Sequence, residues 1–182
     1  MKHKIGPAAP LGLFIGICFF FAIGLTRDPS VLPSNLIDKP MPQFELTELN
    51  DITLVVSEEE LSGRITLLNV FGSWCQACLV EHPTLMRMNE NSEVSIVGIN
   101  WRDERDQAKQ WLSKHGDPYD YILFDEDSSL SISLGVTGAP ETFVIGPDKQ
   151  IKYKHVGPIT DDVFASTISP LLTELRTGLP DD

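Results

Sequence analysis

An apolar run, Ile65-Thr66-Leu67-Leu68-Asn69-Val70-Phe71, leads through Gly72-Ser73 into Trp74-Cys75-Gln76-Ala77-Cys78, and a helix-like segment follows from Leu79. The run has the length and β-branched content of a buried strand. The two cysteines therefore fall where a strand gives way to a helix, near the helix N-terminus. Free N–H groups and the positive end of the helix dipole stabilise a thiolate there, and the thiolate is the nucleophile in disulfide exchange. Two intervening residues put both sulfurs on one helical turn, within reach of a reducible disulfide. We read Cys75, the first and more exposed, as the attacking thiol. Cys78, one turn deeper, is the resolving thiol.

Two plainer readings compete. A structural zinc site wants about four ligands, usually from a second Cys or His pair. Cys18 lies in the apolar N-terminus, and His82, His115 and His155 are scattered. Inert buried cysteines are the other reading; the strand before, the helix after and Trp74 weigh against it. The net charge of −12 argues against a nucleic-acid partner. It suits basic or amphipathic protein substrates.

Ile5 to Leu25 carries no charge, and about 20 such residues cross a bilayer. Pro7 and Pro10 confine the expected helix core to Leu11–Leu25. A cleaved signal peptide is the rival, but Leu25-Thr26-Arg27-Asp28 is a poor cleavage site, and Ile17 is too large for a lipoprotein signal at Cys18. A single-pass anchor is the expectation. Lys2 and Lys4 keep the N-terminal end cytoplasmic and leave the bulk exported, where disulfides persist. Residues 1–27 are then start and anchor, 28–42 a linker containing Pro29, Pro33, Pro40 and Pro42, and 43–182 the exported domain.

Along that domain, Gln43–Leu49 and Thr53–Val56 read as short strands around Asn50-Asp51. Glu58-Glu59-Glu60 opens a short helix and is a solvated charge run. Leu79–Asn89 is helical despite Pro83, and Val94–Ile99 is the next buried strand. Strand, helix, strand predicts a right-handed parallel unit. Asp103 is placed to cap a helix with Ala108, Trp111, Leu112 and His115 on one face, stopped by Gly116. Tyr121–Phe124 reads as a strand and Ser128–Leu134 as a short helix. Thr142–Ile145 and Gln150–Val156 flank Gly146-Pro147-Asp148-Lys149 as a hairpin. Ile151 and Tyr153 alternate with Lys152 and Lys154, the pattern of an edge strand with one wet face. Thr160 caps a last helix striped by Phe164, Ile168, Leu171, Leu172 and Leu175 and ended by Gly178.

This order resembles the thioredoxin-like fold: α/β, a central mixed sheet flanked by helices. In Gly135-Val136-Thr137-Gly138-Ala139-Pro140-Glu141-Thr142-Phe143, a proline directly before a strand is a candidate cis bond, with an ordinary trans-Pro as the alternative. In thioredoxin-like proteins the corresponding proline faces the cysteines, and the backbone before it pairs with a substrate strand. The resemblance makes Ala139 and Pro140, with Trp74, the expected docking residues.

A closer resemblance rests on Leu67 through Cys75, Cys78 with Glu81-His82, Asn100-Trp101-Arg102-Asp103, Phe124-Asp125 and Gly135 through Phe143. Together they are similar to the membrane-anchored DsbE/CcmG thiol–disulfide oxidoreductases of cytochrome c maturation, over almost all of the exported part. Asn69 stands where thioredoxin has a buried aspartate, as in that family. Gln76-Ala77 departs from it, since many members carry a proline there. The resemblance implies a protein-disulfide reductase that keeps the Cys-x-x-Cys-His of apocytochrome c reduced, directly or through a CcmH-like thiol protein. It also implies electrons from a DsbD-type donor in the inner membrane and a domain in the periplasm. It implies no cofactor and no metal beyond a redox-active Cys75–Cys78 disulfide.

Glu81 and Glu141 are the expected tuning groups. Glu81 lies on the helical face of Cys78, and Glu141 follows Pro140. A carboxylate at the sulfurs raises thiol pKa and can relay a proton; two exposed surface glutamates are the alternative. His82 is expected to be structural and Trp101 to pack near the site. A general ResA/TlpA-like reductase differs only in partner. A DsbA-like oxidant would carry a more thiolate-stabilising pair between its cysteines. A peroxidase would need a different cysteine frame, and an adaptor would not need both cysteines.

Overall fold

The computed structural model describes residues 8–25, 36–90 and 94–177. Lys2, Lys4, linker residues 28–35 and Gly178 lie outside the described residues. The chain divides into two units, Met1–Val31 and Leu32–Asp182. In the first, α1 (Ala8–Leu25) is 18 residues long and carries no charge. At 1.5 Å per residue it measures about 27 Å, against a hydrocarbon core of about 30 Å. Among the described residues no helix is long and apolar enough to cross a membrane.

The second unit begins with a small antiparallel hairpin, β1 (Glu45–Thr47) and β2 (Val55–Ser57), and a 3-10 turn at Glu58–Leu61. Then come β3 (Thr66–Phe71), α2 (Cys78–Glu90), β4 (Ser95–Trp101), α3 (Arg105–His115), β5 (Tyr121–Asp125) and α4 (Ser129–Ser133). After them come β6 (Glu141–Ile145), β7 (Ile151–Val156), α5 (Asp161–Val163), a π-helical turn over Phe164–Ile168, and α6 (Ser169–Thr177). The five long strands form one sheet in the order β5-β4-β3-β6-β7. β3 runs parallel to β4, and β4 to β5; β6 is antiparallel to both β3 and β7. This is the mixed, helix-flanked sheet that the order of elements suggested.

β3 lies at the centre and every residue in it is buried, which is why it reads as an uninterrupted apolar run rather than an alternating one. Strand alternation splits its side chains between two cores. Leu67 and Phe71 pack with Leu85, Met88, Trp111 and both cysteines. Leu68 and Val70 pack on the other face with Val97, Phe143 and Ile145. Thr160 caps the last helix, its hydroxyl accepting from the Val163 N–H. Ile168 and Leu172 are the buried residues of that helical segment, with Phe164, Leu171 and Leu175 partly covered.

Three expectations are corrected. The linker does not extend to residue 42: Asp38 N–H donates to Ile151 (2.8 Å), Ile151 N–H to Lys39 (2.9 Å) and Met41 N–H to Lys149 (2.8 Å). Prolines suit such a sheet margin as well as a linker, because they have no N–H to leave unpaired. Asp103 does not cap α3 through its side chain, since the N-cap is Glu104. Its carboxylate turns instead toward the loop after β3. On β7 the alternation fails: Lys154 is buried and Tyr153 only half-buried.

Candidate active site

After Phe71 the chain must turn at once. Gly72 permits it, because a Cβ there would stand 2.5 Å from the Trp74 indole nitrogen. The Cys75 N–H donates to the Gly72 carbonyl (3.0 Å), and α2 begins at Cys78. Cys75 and Cys78 form a disulfide with their Cα atoms 5.4 Å apart. The Cys78 N–H donates to Cys75 Sγ (3.1 Å). Both residues are buried, Cys75 4% exposed and Cys78 1%. A sulfur that receives a helix N-terminal N–H is where negative charge is best held once the bond is reduced. That contact favours Cys75 over Cys78 as the thiolate.

The loop between β4 and α3 seats the loop that carries the cysteines. Asp103 accepts from the Ser73 N–H (2.6 Å), the Ser73 hydroxyl (2.7 Å), Asn100 Nδ2 (2.9 Å) and the Glu104 N–H (2.9 Å). Trp74 donates its indole N–H to the carbonyls of Trp101 (3.2 Å) and Arg102 (3.0 Å) and meets the Trp101 ring edge-on. It nevertheless stays 49% exposed, a broad apolar surface beside Cys75. Arg102 adopts a positive φ of 48° and lays its guanidinium 5.0 Å from the Trp101 ring centre.

Glu81 is the most perturbed carboxylate on the cysteine side. It follows Cys78 by three residues, one helical turn, and is 1% exposed. Oε1 accepts from Asn69 Nδ2 (2.8 Å) and Oε2 from the Ile159 N–H (3.0 Å). Asn69 also donates to Thr142 Oγ1 (2.9 Å) and accepts from the Tyr119 hydroxyl (2.8 Å). Burial pushes the Glu81 carboxyl up to about 7, against the pull of the Ile159 and Asn69 hydrogen bonds. Burial, with Glu81 as neighbour, likewise raises the Tyr119 hydroxyl far above its ordinary value.

Glu141 is placed differently from the expectation. It is fully buried, but strand alternation aims it with Phe143 and Ile145 into the core on the far side of the sheet from the cysteines. Oε2 finds no well-angled hydrogen bond and is met instead by the Lys154 ammonium at 2.9 Å. Sharing a loop with Pro140 does not put this carboxylate on the sulfurs' face. The Ala139–Pro140 bond is cis, and Ala139 packs partly buried against both cores, the one that contains both cysteines included. His82 turns away from the disulfide: its Nε2 lies 3.2 Å from the carbonyls of His115 and Gly116, and its ring stands edge-on to Trp111. Burial lowers its pKa.

Sequence reasoning did not single out Tyr119 or Lys154 for a role at this site, and gave Asp103 a different one. A lone Tyr after Pro118 carries no pattern, and Lys154 was hidden by an apparent alternation. Asp103 had a visible signal, an acid in the short loop between a strand and a helix, which a helix cap explains equally well.

The Redoxin family model matches residues 37–171. The thiol:disulfide interchange protein DsbE of Allochromatium vinosum is 40% identical over 171 residues, 94% of each chain. That of Pseudomonas aeruginosa is 42% identical over 166 residues, 91% of this chain and 92% of its own. That of Escherichia coli is 38% identical over 177 residues, 94% and 95%. Among solved structures, a secreted thiol-disulfide isomerase from Corynebacterium glutamicum superposes with TM-score 0.65 at 22% identity, covering 81% of this chain and 96% of that one. A DsbF homologue from Corynebacterium diphtheriae gives 0.64 at 22% identity, covering 79% and 96%. At that identity the two structures speak for the fold alone.

Proposed function

The chain belongs to the Redoxin family and, within it, to the DsbE thiol:disulfide interchange proteins, and from that premise we propose that it acts as a reductase of exported proteins. It is a thiol:disulfide oxidoreductase. Its proposed substrate is the Cys-x-x-Cys-His disulfide of an apocytochrome c, reached directly or through a CcmH-like thiol protein, so that haem can be attached in the periplasm. The Cys75 thiolate attacks one partner sulfur and expels the other as a thiolate. The Cys78 thiolate then attacks Cys75 Sγ, releases the partner as a dithiol and leaves the Cys75–Cys78 disulfide. Two electrons pass to the partner, which takes up two protons. A DsbD-type membrane donor restores the dithiol.

The observation that carries the direction of flow is Glu81. A carboxylate buried one turn below Cys78 disfavours a thiolate at the pair. An oxidant such as DsbA is strong because its reduced form is stabilised; withholding that stabilisation makes a couple more reducing. Mixed with an equimolar oxidised Cys-x-x-Cys-His peptide, the dithiol form should give up its electrons. A peptide that stays oxidised while the pair stays reduced would remove the reductase reading. Equal rates for a scrambled dithiol peptide would point to a general reductase.

The membrane anchor is proposed on the sequence. The uncharged stretch runs from Ile5 to Leu25 behind Lys2 and Lys4, whereas the described helix falls short of a full span. The whole chain should stay with the membrane pellet through alkaline carbonate. Release of an N-terminally shortened protein would refute the anchor.

A further inference from the structure

The polar atoms of the Glu141–Lys154 pair converge on the loop that precedes β6. Glu141 Oε1 accepts the Thr137 N–H (2.8 Å), the Gly138 N–H (3.1 Å) and the Thr137 hydroxyl. Lys154 Nζ stands 2.9 Å from Glu141 Oε2 and donates to the Gly135 carbonyl (2.7 Å). Three residues of one loop are thus tied to a single buried pair.

That loop sits at the end of the sheet where the cysteines are. β3 and β6 are antiparallel with Val70 opposite Glu141, so the residues just before Glu141 stand beside those that lead from Phe71 to the disulfide. Between the tied residues and β6 lie Ala139 and Pro140; Ala139 is half-buried and touches both cores, the one that contains the cysteines included. Among the described residues its N–H and C=O make no hydrogen bond. Unpaired backbone at a sheet margin is where an extended polypeptide adds as a strand.

We propose that Glu141 and Lys154 are positioning residues: their pair moulds Gly135–Gly138 so that the Ala139 backbone stays open, beside Cys75, to an extended partner polypeptide. Apolar residues of similar volume often stabilise a core as well as a buried ion pair does. They would fill this space without fixing three loop residues in one conformation. The partner part of the proposal rests on the exchange reaction described above.

The test compares a substrate that must dock with one that need not. An oxidised Cys-x-x-Cys-His peptide has backbone to lay against Ala139; dithiothreitol, which reduces the Cys75–Cys78 disulfide, has none. The double variant Glu141→Leu/Lys154→Met removes the pair without stranding a buried charge. It should raise KM for the peptide about tenfold, the loss of roughly one hydrogen bond. Its kcat should stay within twofold, with an unchanged rate of reduction by dithiothreitol. Lys154→Arg, which keeps the cation and its donors, should keep the parent KM. If near-ultraviolet circular dichroism shows the double variant unfolded, Glu141→Gln is read instead, with a rise in KM expected. An unchanged KM in the folded variant overturns the proposal, as does a dithiothreitol rate that falls in step with the peptide rate. If the parent ignores this peptide but reduces an unrelated oxidised dithiol peptide, the cytochrome reading fails. The KM ratio is then measured on the unrelated peptide and decides in the same way.

Discussion

Cys78→Ser, reduced and mixed with an oxidised Cys-x-x-Cys-His peptide, should accumulate a mixed disulfide through Cys75, whereas Cys75→Ser should accumulate none. Turnover should fall to background in both. The opening to solvent, small as it is, belongs to Cys75 rather than Cys78. Cys75 Sγ is also the atom that receives the Cys78 N–H at the start of α2. Once the disulfide is reduced, that donor and the helix dipole hold charge on Cys75. The partner then attaches at Cys75 and remains until a second thiolate displaces it. Serine at position 78 cannot do so. Mass spectrometry under non-reducing conditions reads the adduct. Equal trapping by both variants would reverse or abolish the two roles.

The working centre was legible because its signals are local. A buried strand, a two-residue gap between cysteines and a helix start within fourteen residues admit few geometries, and β3, the turn and α2 adopt the expected one. Glu81 could be placed from helix periodicity alone, since three residues after Cys78 is the same face. Glu141 could not be placed from its distance to Pro140. On a strand, neighbouring residues point to opposite faces, so Thr142 joins Asn69 on the cysteine side while Glu141 meets Lys154 on the other. Lys154 itself was read as wet, because burial of a lysine depends on a carboxylate thirteen positions away that pairing along β6 and β7 brings to it. Tyr119 and Asp103 act across elements, one on Asn69 and the other on Ser73. Such contacts exist only once β3 and β4 lie side by side. The Pro-rich approach was misjudged for a related reason: composition reads its last residues as linker, and only the folded hairpin of β6 and β7 provides the backbone at Lys149 and Ile151 with which Asp38, Lys39 and Met41 pair.

Glu81 should make the oxidised protein more stable at pH 5 than at pH 8, and Glu81→Gln should flatten that difference. The Glu81 carboxyl titrates near 7 when folded against an ordinary value of 4.5. The folded chain therefore holds a proton that the unfolded chain releases across that window. Stability from this group is fully present below about 4.5 and is lost as pH rises through about 7, a change of roughly 3 kcal/mol for a shift of this size. The carboxylates of Asp51, Asp127, Asp148 and Asp161, all lowered, act in the opposite sense, with their losses at more acid pH. Glutamine keeps an acceptor for Asn69 but not one for the Ile159 N–H as well. Glu81→Gln should thus lose about 1 kcal/mol near pH 5 and match or exceed the parent at pH 8. Urea unfolding at the two pH values measures it, and parallel pH curves for variant and parent would show that Glu81 is already charged when folded. In the reduced protein the same substitution removes the carboxylate that disfavours a thiolate. The first thiol should then ionise at lower pH, while Glu141→Gln, whose charge is matched by Lys154 across the sheet, leaves that titration in place. Thiolate absorbance against pH separates the two, and the carboxylate whose removal moves the midpoint is the one that tunes the pair.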